Sequence, residues 1–255
     1  VIGATQHGGG YGLEKCYSLH MSEYQHDYFI SWGWDGFSDI DNINIVSLPT
    51  PYLSKMKRGP RREKIIFVNS RLSLTNNRIM YSRQPNENIE ETKNIMKFIG
   101  HLNANVLNQL WYRPFPTDEN IINEKKYIKE IYPKIEILNG DLLKFLTNCK
   151  LLIVNYPETT LNIALALNIP TICYWDQNEF PMHNDAKPYF KSLQENAILF
   201  DNFEQAAQQA NTVSCHIEKW WFHKDRQAAV KEWASKYAKT SKYWRIPWAK
   251  WIWKL

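Results

Sequence analysis

The chain has 255 residues, 44% of them hydrophobic, and a net charge of +5, enough for one large domain or two of Rossmann size. The mild basic excess suits an anionic ligand or a membrane surface and gives no reason to expect nucleic acid. No run approaches the ~18 apolar residues that a membrane-crossing helix needs, and the four cysteines (Cys16, Cys149, Cys173, Cys215) lack metal spacing, which points to free thiols in a reducing cytoplasm.

In chain order, Val1 to Thr5 reads as the tail of a buried strand. No initiator Met, charged n-region or apolar h-region precedes it, so the expectation is a chain truncated at its N-terminus and without a signal peptide. The strand runs into Gln6-His7-Gly8-Gly9-Gly10-Tyr11-Gly12. Consecutive glycines let backbone N–H groups approach a ligand closely, and a strand entering such a loop can form an anion-binding nest. His7 then places an imidazole at a phosphate-sized hole. A tight turn with a packed histidine accounts for the same residues.

Residues 14–30 mix polar and aromatic side chains, with Glu23, His26 and Asp27 close together. Ser31 to Trp34 reads as a short strand and turn, and a further strand around Ile43, Ile45, Val46 and Leu48 ends at Pro49 and Pro51. The basic segment Lys55 to Arg62 reads as a solvated linker, which makes 52–63 a domain boundary.

Beyond it, Ile65 to Val68 is a continuous apolar strand of the kind buried on both faces of a parallel sheet. A helix follows over 86–102, with Asn86 as N-cap, Glu87, Glu90 and Glu91 in its first turns, and Ile89, Ile95, Met96 and Ile99 as its apolar face. Strands are expected at 109–112, 135–138, 151–154, 170–175 and 198–200. Helices are expected at 121–131, 141–147, 158–168, 186–195 and 203–212. This alternation indicates a doubly wound parallel sheet, whose ligands bind beyond the carboxyl ends of the strands.

Those ends carry the candidate site residues: Asn69, Ser70 and Arg71 after Val68, Arg113 after Tyr112, Asn155 to Thr160 after Val154, and Asp176 after Trp175. Thr159 and Thr160 open a helix whose first amides can meet an anion, and Arg113 is a fixed positive fork suited to phosphate. No HExxH, Walker A or GxSxG pattern occurs. The chemistry is therefore expected to need neither metal nor cofactor, with a helix terminus and an arginine neutralising a leaving phosphate while a histidine or carboxylate handles a proton.

The last part reads as a helix over 217–239 bearing Trp220, Trp221, Val230, Trp233 and Tyr237, then a tail rich in Trp and Lys over 243–255. Interleaved Trp and Lys/Arg suits peripheral contact with a membrane. It suits equally a helix packing back across a neighbouring domain.

Several segments together resemble a family of surface-carbohydrate transferases, glycosyltransferase-like proteins of the two-Rossmann-domain GT-B architecture. They are QHGGGYG (6–12), EYQHDYFISWGW (23–34), RPFP (113–116), NYPETTLNIALALNIPTICYWD (155–176), AKPYF (186–190) with Leu193, AILFDNFEQAAQQAN (197–211) and the pair Trp220-Trp221. The resemblance implies that 1–51 is the end of an acceptor-side domain, 64–215 a nucleotide-sugar-binding Rossmann-like domain, and 216–255 a helix and Trp-rich tail crossing back over the cleft. It places His7 as the catalytic group, with Gln6, Gly8, Gly9 and Gly10 as the loop facing phosphate or acceptor. Arg113, Asn155, Tyr156, Thr159, Thr160, Arg71 and Asp176 then bind the donor.

The implied donor is a nucleotide-sugar, with a CMP-activated ulosonic acid as one candidate, and the implied acceptor is a cell-surface or lipid-linked glycan. The implied setting is the cytoplasm or the inner face of its membrane. One departure stands out, since Ile163 occupies the position where such domains usually carry a ribose-binding glutamate. Two other readings remain open: a polyol-phosphate transferase of the teichoic-acid type, and a non-catalytic nucleotide- or glycan-binding fragment.

Overall fold

The computed structural model describes residues 1–15, 22–38, 42–60, 64–70, 85–115, 122–177 and 181–255. A three-stranded parallel sheet comes first, with β1 (Gly3–Thr5), β2 (Tyr28–Ser31) and β3 (Ile45–Ser47) side by side in that order. Its buried face carries Tyr11, Tyr24, Phe29 and Trp34 in mutual ring contact.

The second sheet holds β4 (Ile65–Val68), β5 (Leu110–Arg113), β6 (Glu136–Ile137), β7 (Leu151–Val154), β8 (Thr171–Tyr174) and β9 (Leu199–Phe200). They are all parallel and run β6-β5-β4-β7-β8-β9 across the sheet. Every residue of β4, β7 and β8 is buried, as uninterrupted apolar strands covered on both faces must be. The strand order reverses between β4 and β7, and the crevice beyond their carboxyl ends is the usual ligand position of a doubly wound sheet.

The helices are α1 (Pro51–Lys55), α2 (Pro85–Gly100), α3 (Ala104–Leu107), α4 (Glu124–Ile131), α5 (Leu142–Leu146), α6 (Thr159–Ala166), α7 (Lys187–Glu195), α8 (Phe203–Val213), α9 (Ile217–Trp221), α10 (Lys224–Tyr237) and α11 (Arg245–Ile252). Among the described residues no helix is long and apolar enough to cross a membrane.

Two expected helices need correction. In α2, Ile89 is 49% exposed while Asn88 and Glu91 are buried. Stepping back from Ile95 at helical spacing reaches 91 and 88 and leaves 89 on the outer side. Asn86 is not the cap either, because the helix already includes Pro85.

The single helix expected over 217–239 is two, broken at Phe222 and His223, the latter extended at φ −61°, ψ 138°. Tertiary contacts hold the break. Trp221 donates Nε1–H to Asn168 Oδ1 at 2.7 Å. Arg226 stacks on Trp220 at 4.7 Å and donates to Asn196 O at 2.7 Å.

From there α10 packs on α6 and α7 and its end meets the first sheet. Lys239 donates its backbone N–H to Trp32 O at 2.7 Å and accepts from Thr50 at 2.9 Å. Gly33, at φ +136°, lets the chain lie against Ser235 and Lys236, whose carbonyl oxygens would stand 2.7 Å from any Cβ added there. Lys236 pairs with Asp35 and holds that carboxyl below its ordinary range. Helix α10 and Lys239 after it thus join the two sheets.

Candidate active site

The Gln6–Gly12 loop is pinned from inside. Gln6 is 5% exposed. Its Oε1 accepts from the Trp32 backbone (2.8 Å) and the Trp34 indole (2.9 Å), while Nε2 donates to Gly8 O at 2.8 Å. An amide so committed shapes the loop from within.

On the far side the loop rests directly on α6. Gly9 N–H donates to Thr159 Oγ1 at 2.8 Å, and a Cβ on Gly9 would lie 2.2 Å from the Thr159 nitrogen. Asn162 reaches Gly9 O at 3.5 Å and accepts from the fully buried Trp233 indole at 2.8 Å. Just beyond the loop, Glu14 bridges Met182 in antiparallel fashion, and His183 N–H donates to Leu13 O at 2.9 Å. The sequence suggested a cleft between the glycine loop and Thr159. They touch instead, so one strand end of each sheet meets at the start of α6.

His7 is exposed at this seam. The Tyr11 hydroxyl lies 3.0 Å from its Nδ1 and 3.1 Å from its Nε2, and donates to Glu23 Oε2 at 2.7 Å. A phenol has one proton. With its proton directed at Glu23, the phenol oxygen is left to face the His7 ring as an acceptor. Burial and the Glu23 carboxylate push the Tyr11 phenol upward, so it stays protonated. The sequence noted Glu23 only as one polar neighbour among several, because its pairing with Tyr11 is a tertiary contact. Beside His7 opens a cavity of about 460 Å³ whose walls include Trp32, Tyr52, Thr159 and Trp248.

At the crevice between β4 and β7 a buried polar network fills the strand ends. Asn155 Oδ1 accepts from the Ser70 backbone (2.9 Å), and its Nδ2 donates to Asn69 Oδ1 and Glu91 Oε1, both at 2.7 Å. Asn69 and the Tyr112 hydroxyl donate in turn to Glu124 Oε1 at 3.1 and 3.0 Å. Asn155, expected to bind donor, has its amide engaged here on every side. In the sequence Glu91 reads only as a first-turn acid and Glu124 goes unremarked, because acids early in a helix are ordinary dipole partners.

Burial pushes the Glu124 carboxyl above its usual range, against the hydrogen bonds from Asn69 and Tyr112. Its folded pKa therefore exceeds its unfolded one, and the stability this confers at low pH is lost as pH rises through the raised value. Glu124→Gln keeps an acceptor for both donors and removes the charge. It is expected to melt above the wild type near pH 8 and to converge with it at about pH 4, the ordinary carboxylate range. Parallel melting curves across that range in calorimetry would count against this account.

Arg113 donates to Pro114 O (2.9 Å) and Gly140 O (3.0 Å), while its buried Nε has no hydrogen-bond partner among the described residues. It stands on β5, two strands from β7, roughly 10 Å across the sheet from Thr159 and Thr160 at the usual strand spacing. Thr160 is half-buried in the first turn of α6, where the amides of 160 and 161 have no intrahelical acceptor. Tyr156 is buried and Asp176 exposed, and Arg71 lies outside the described residues. Ile163 is in the core. Among the described residues no group of three or more His, Cys, Asp or Glu side chains could hold a metal ion.

Residues 2–252 match a family model described as LIC12162 family transferase. No curated protein sequence matches the chain. A mutant of S. aureus TarM, solved with fondaparinux, α-GlcNAc-glycerol and UDP, superposes with a TM-score of 0.51 at 12% identity, covering 97% of this chain and 49% of TarM. The wall teichoic acid polymerase TagF gives 0.42 at 11% identity over 89% of this chain and 56% of its own. The spinosyn forosaminyltransferase SpnP gives 0.43 at 11% over 88% and 54%. This chain spans about half the length of these structures, and the fold it shares with TarM is of the GT-B type.

Proposed function

The chain belongs to the LIC12162 family of transferases, and on that premise we propose that it moves a sugar from a nucleotide-sugar donor to a glycan or lipid-linked glycan acceptor in the cytoplasm. The observation that carries this reading is the seating of the His7 loop on the first turn of α6. It sets a relayed imidazole from one sheet beside the anion-favouring helix terminus of the other.

In the proposed reaction the acceptor hydroxyl gives its proton to the His7 imidazole as its oxygen bonds the anomeric carbon. The bond from that carbon to the phosphate oxygen breaks, and the nucleotide leaves with the electron pair. The amides of 160 and 161 and the unused N–H groups of Arg113 supply the charge that such a leaving group needs. Trp32, Tyr52 and Trp248 line the cavity beside His7, and aromatic rings of this kind suit an acceptor sugar. TarM, which shares the fold, is solved with UDP and a glycosylated glycerol, ligands of the kind this reading requires.

The test is a calorimetric titration of the full chain with CMP, CDP, UDP and GDP compounds, a CMP-activated ulosonic acid included, followed by phosphorus NMR of the product. One nucleotide class is expected to bind, with Arg113→Ala weakening it about tenfold, as loss of a charged hydrogen bond does. Turnover is expected to release free nucleotide with no new phosphodiester. A phosphodiester product would replace this reading with polyol-phosphate transfer. No binding at millimolar concentration would leave a non-catalytic fragment.

A further inference from the structure

The tail after Tyr237 uses one side of α11 to wall the His7 cavity and leaves the other uncovered. On the inner side Trp248 donates Nε1–H to Pro49 O at 2.8 Å, and Trp251 meets Tyr28 edge-on at 5.5 Å between ring centres. These contacts account for the rings that pack across the first sheet. They leave Tyr243, Ile246, Ile252 and Trp253 exposed, Trp253 to 89%. A helix that only covers a domain turns charged groups to water on that side. An apolar patch rimmed by polar residues marks an interaction surface.

The tail's own charges have one sign. Lys242, Arg245, Lys250 and Lys254 are all exposed, and no acidic residue occurs from Trp233 to Leu255. Indole and aliphatic side chains bordered by lysine and arginine match the boundary between acyl chains and anionic headgroups.

We propose that this face docks on an anionic lipid surface and brings the His7 cavity to the bilayer interface. The docking stands independently of the proposed chemistry. Its consequence, that the acceptor is presented from the membrane, rests on that reading.

The experiment is co-sedimentation of the full chain with phosphatidylcholine vesicles, with and without phosphatidylglycerol, at low and high salt. Binding is expected only with phosphatidylglycerol, with a blue shift of tryptophan emission, and is expected to weaken as salt screens the charges. Ile252→Ser with Trp253→Ser, and separately Lys250→Glu with Lys254→Glu, are expected to lower partitioning at least tenfold. All four positions are exposed, so melting temperature and nucleotide affinity are expected to stay at wild-type values. Those readouts separate a failed docking surface from a misfolded chain or a failed functional reading. Absence of binding to phosphatidylglycerol vesicles, or equal partitioning of wild type and variants, overturns the proposal. So does a dimer that the Ile252→Ser, Trp253→Ser protein loses while neither protein binds vesicles, which would make the face a self-association surface.

Discussion

His7→Ala is expected to lower turnover on the order of 10³-fold, the scale of a positioned general base, while nucleotide affinity changes less than about threefold. The asymmetry follows from placement. His7 belongs to the loop of the first sheet, and the expected phosphate contacts lie on α6 and β5 of the second. Tyr11→Phe gives the companion measurement. It keeps a ring stacked on Phe29 at 5.4 Å and deletes the hydroxyl that lies against the His7 ring and donates to Glu23. The imidazole then loses its orienting acceptor, and a fall of about tenfold in kcat with little change in KM is expected for an interaction realised in the transition state. If His7→Ala turns over at a wild-type rate, the imidazole has no part in the chemistry.

Gly9→Ala is expected to cost both activity and stability. Its Cβ would stand 2.2 Å from the Thr159 nitrogen and 2.4 Å from the Glu158 carbonyl carbon, and neither backbone atom can rotate aside. The loop must lift off α6, breaking the Gly9–Thr159 hydrogen bond and the Asn162 contact. Overpacking of this kind costs about 3 kcal/mol, and a displacement near 1 Å at a reacting group costs on the order of 10²-fold in rate. Gly8→Ala is the control. Its Cβ would lie 3.8 Å from Thr159 Oγ1, with no positive φ to strain, so stability close to wild type is expected. Denaturant unfolding and turnover, measured on both variants, decide the matter. Equal behaviour of the two would mean that the close approach at Gly9 is not what seats the loop.

The legible part of the fold was the part with local cause. Ile65–Val68, Leu151–Val154 and Thr171–Tyr174 are apolar without interruption because both faces of those strands are covered, and that pattern needs no partner to be recognised. Where packing decides, local pattern failed. Ile89 looks like a core residue in its own helix, yet Asn88 and Glu91 take the inner face, where Glu91 accepts from the Asn155 side chain across the crevice. Trp220 and Trp221 fit a helix running on to Lys239, but the pull of Asn168 and Asn196 on Trp221 and Arg226 breaks it.

The site divides along the same line. By itself the sequence determined the glycine loop after a strand, a histidine inside it, and polar residues at the carboxyl ends of parallel strands, because loop chemistry and strand periodicity are properties of neighbours along the chain. Only the tertiary structure decided what each of these groups is available to do. It closed Gln6 and Asn155 into hydrogen bonds with Trp32, Trp34, Asn69 and Glu91, set Glu23 behind Tyr11 and His7, and placed Gly9 on Thr159, 150 residues away in the chain. A hydrogen-bonding group has few partners to satisfy, and which ones it meets depends on contacts between residues that are distant in sequence.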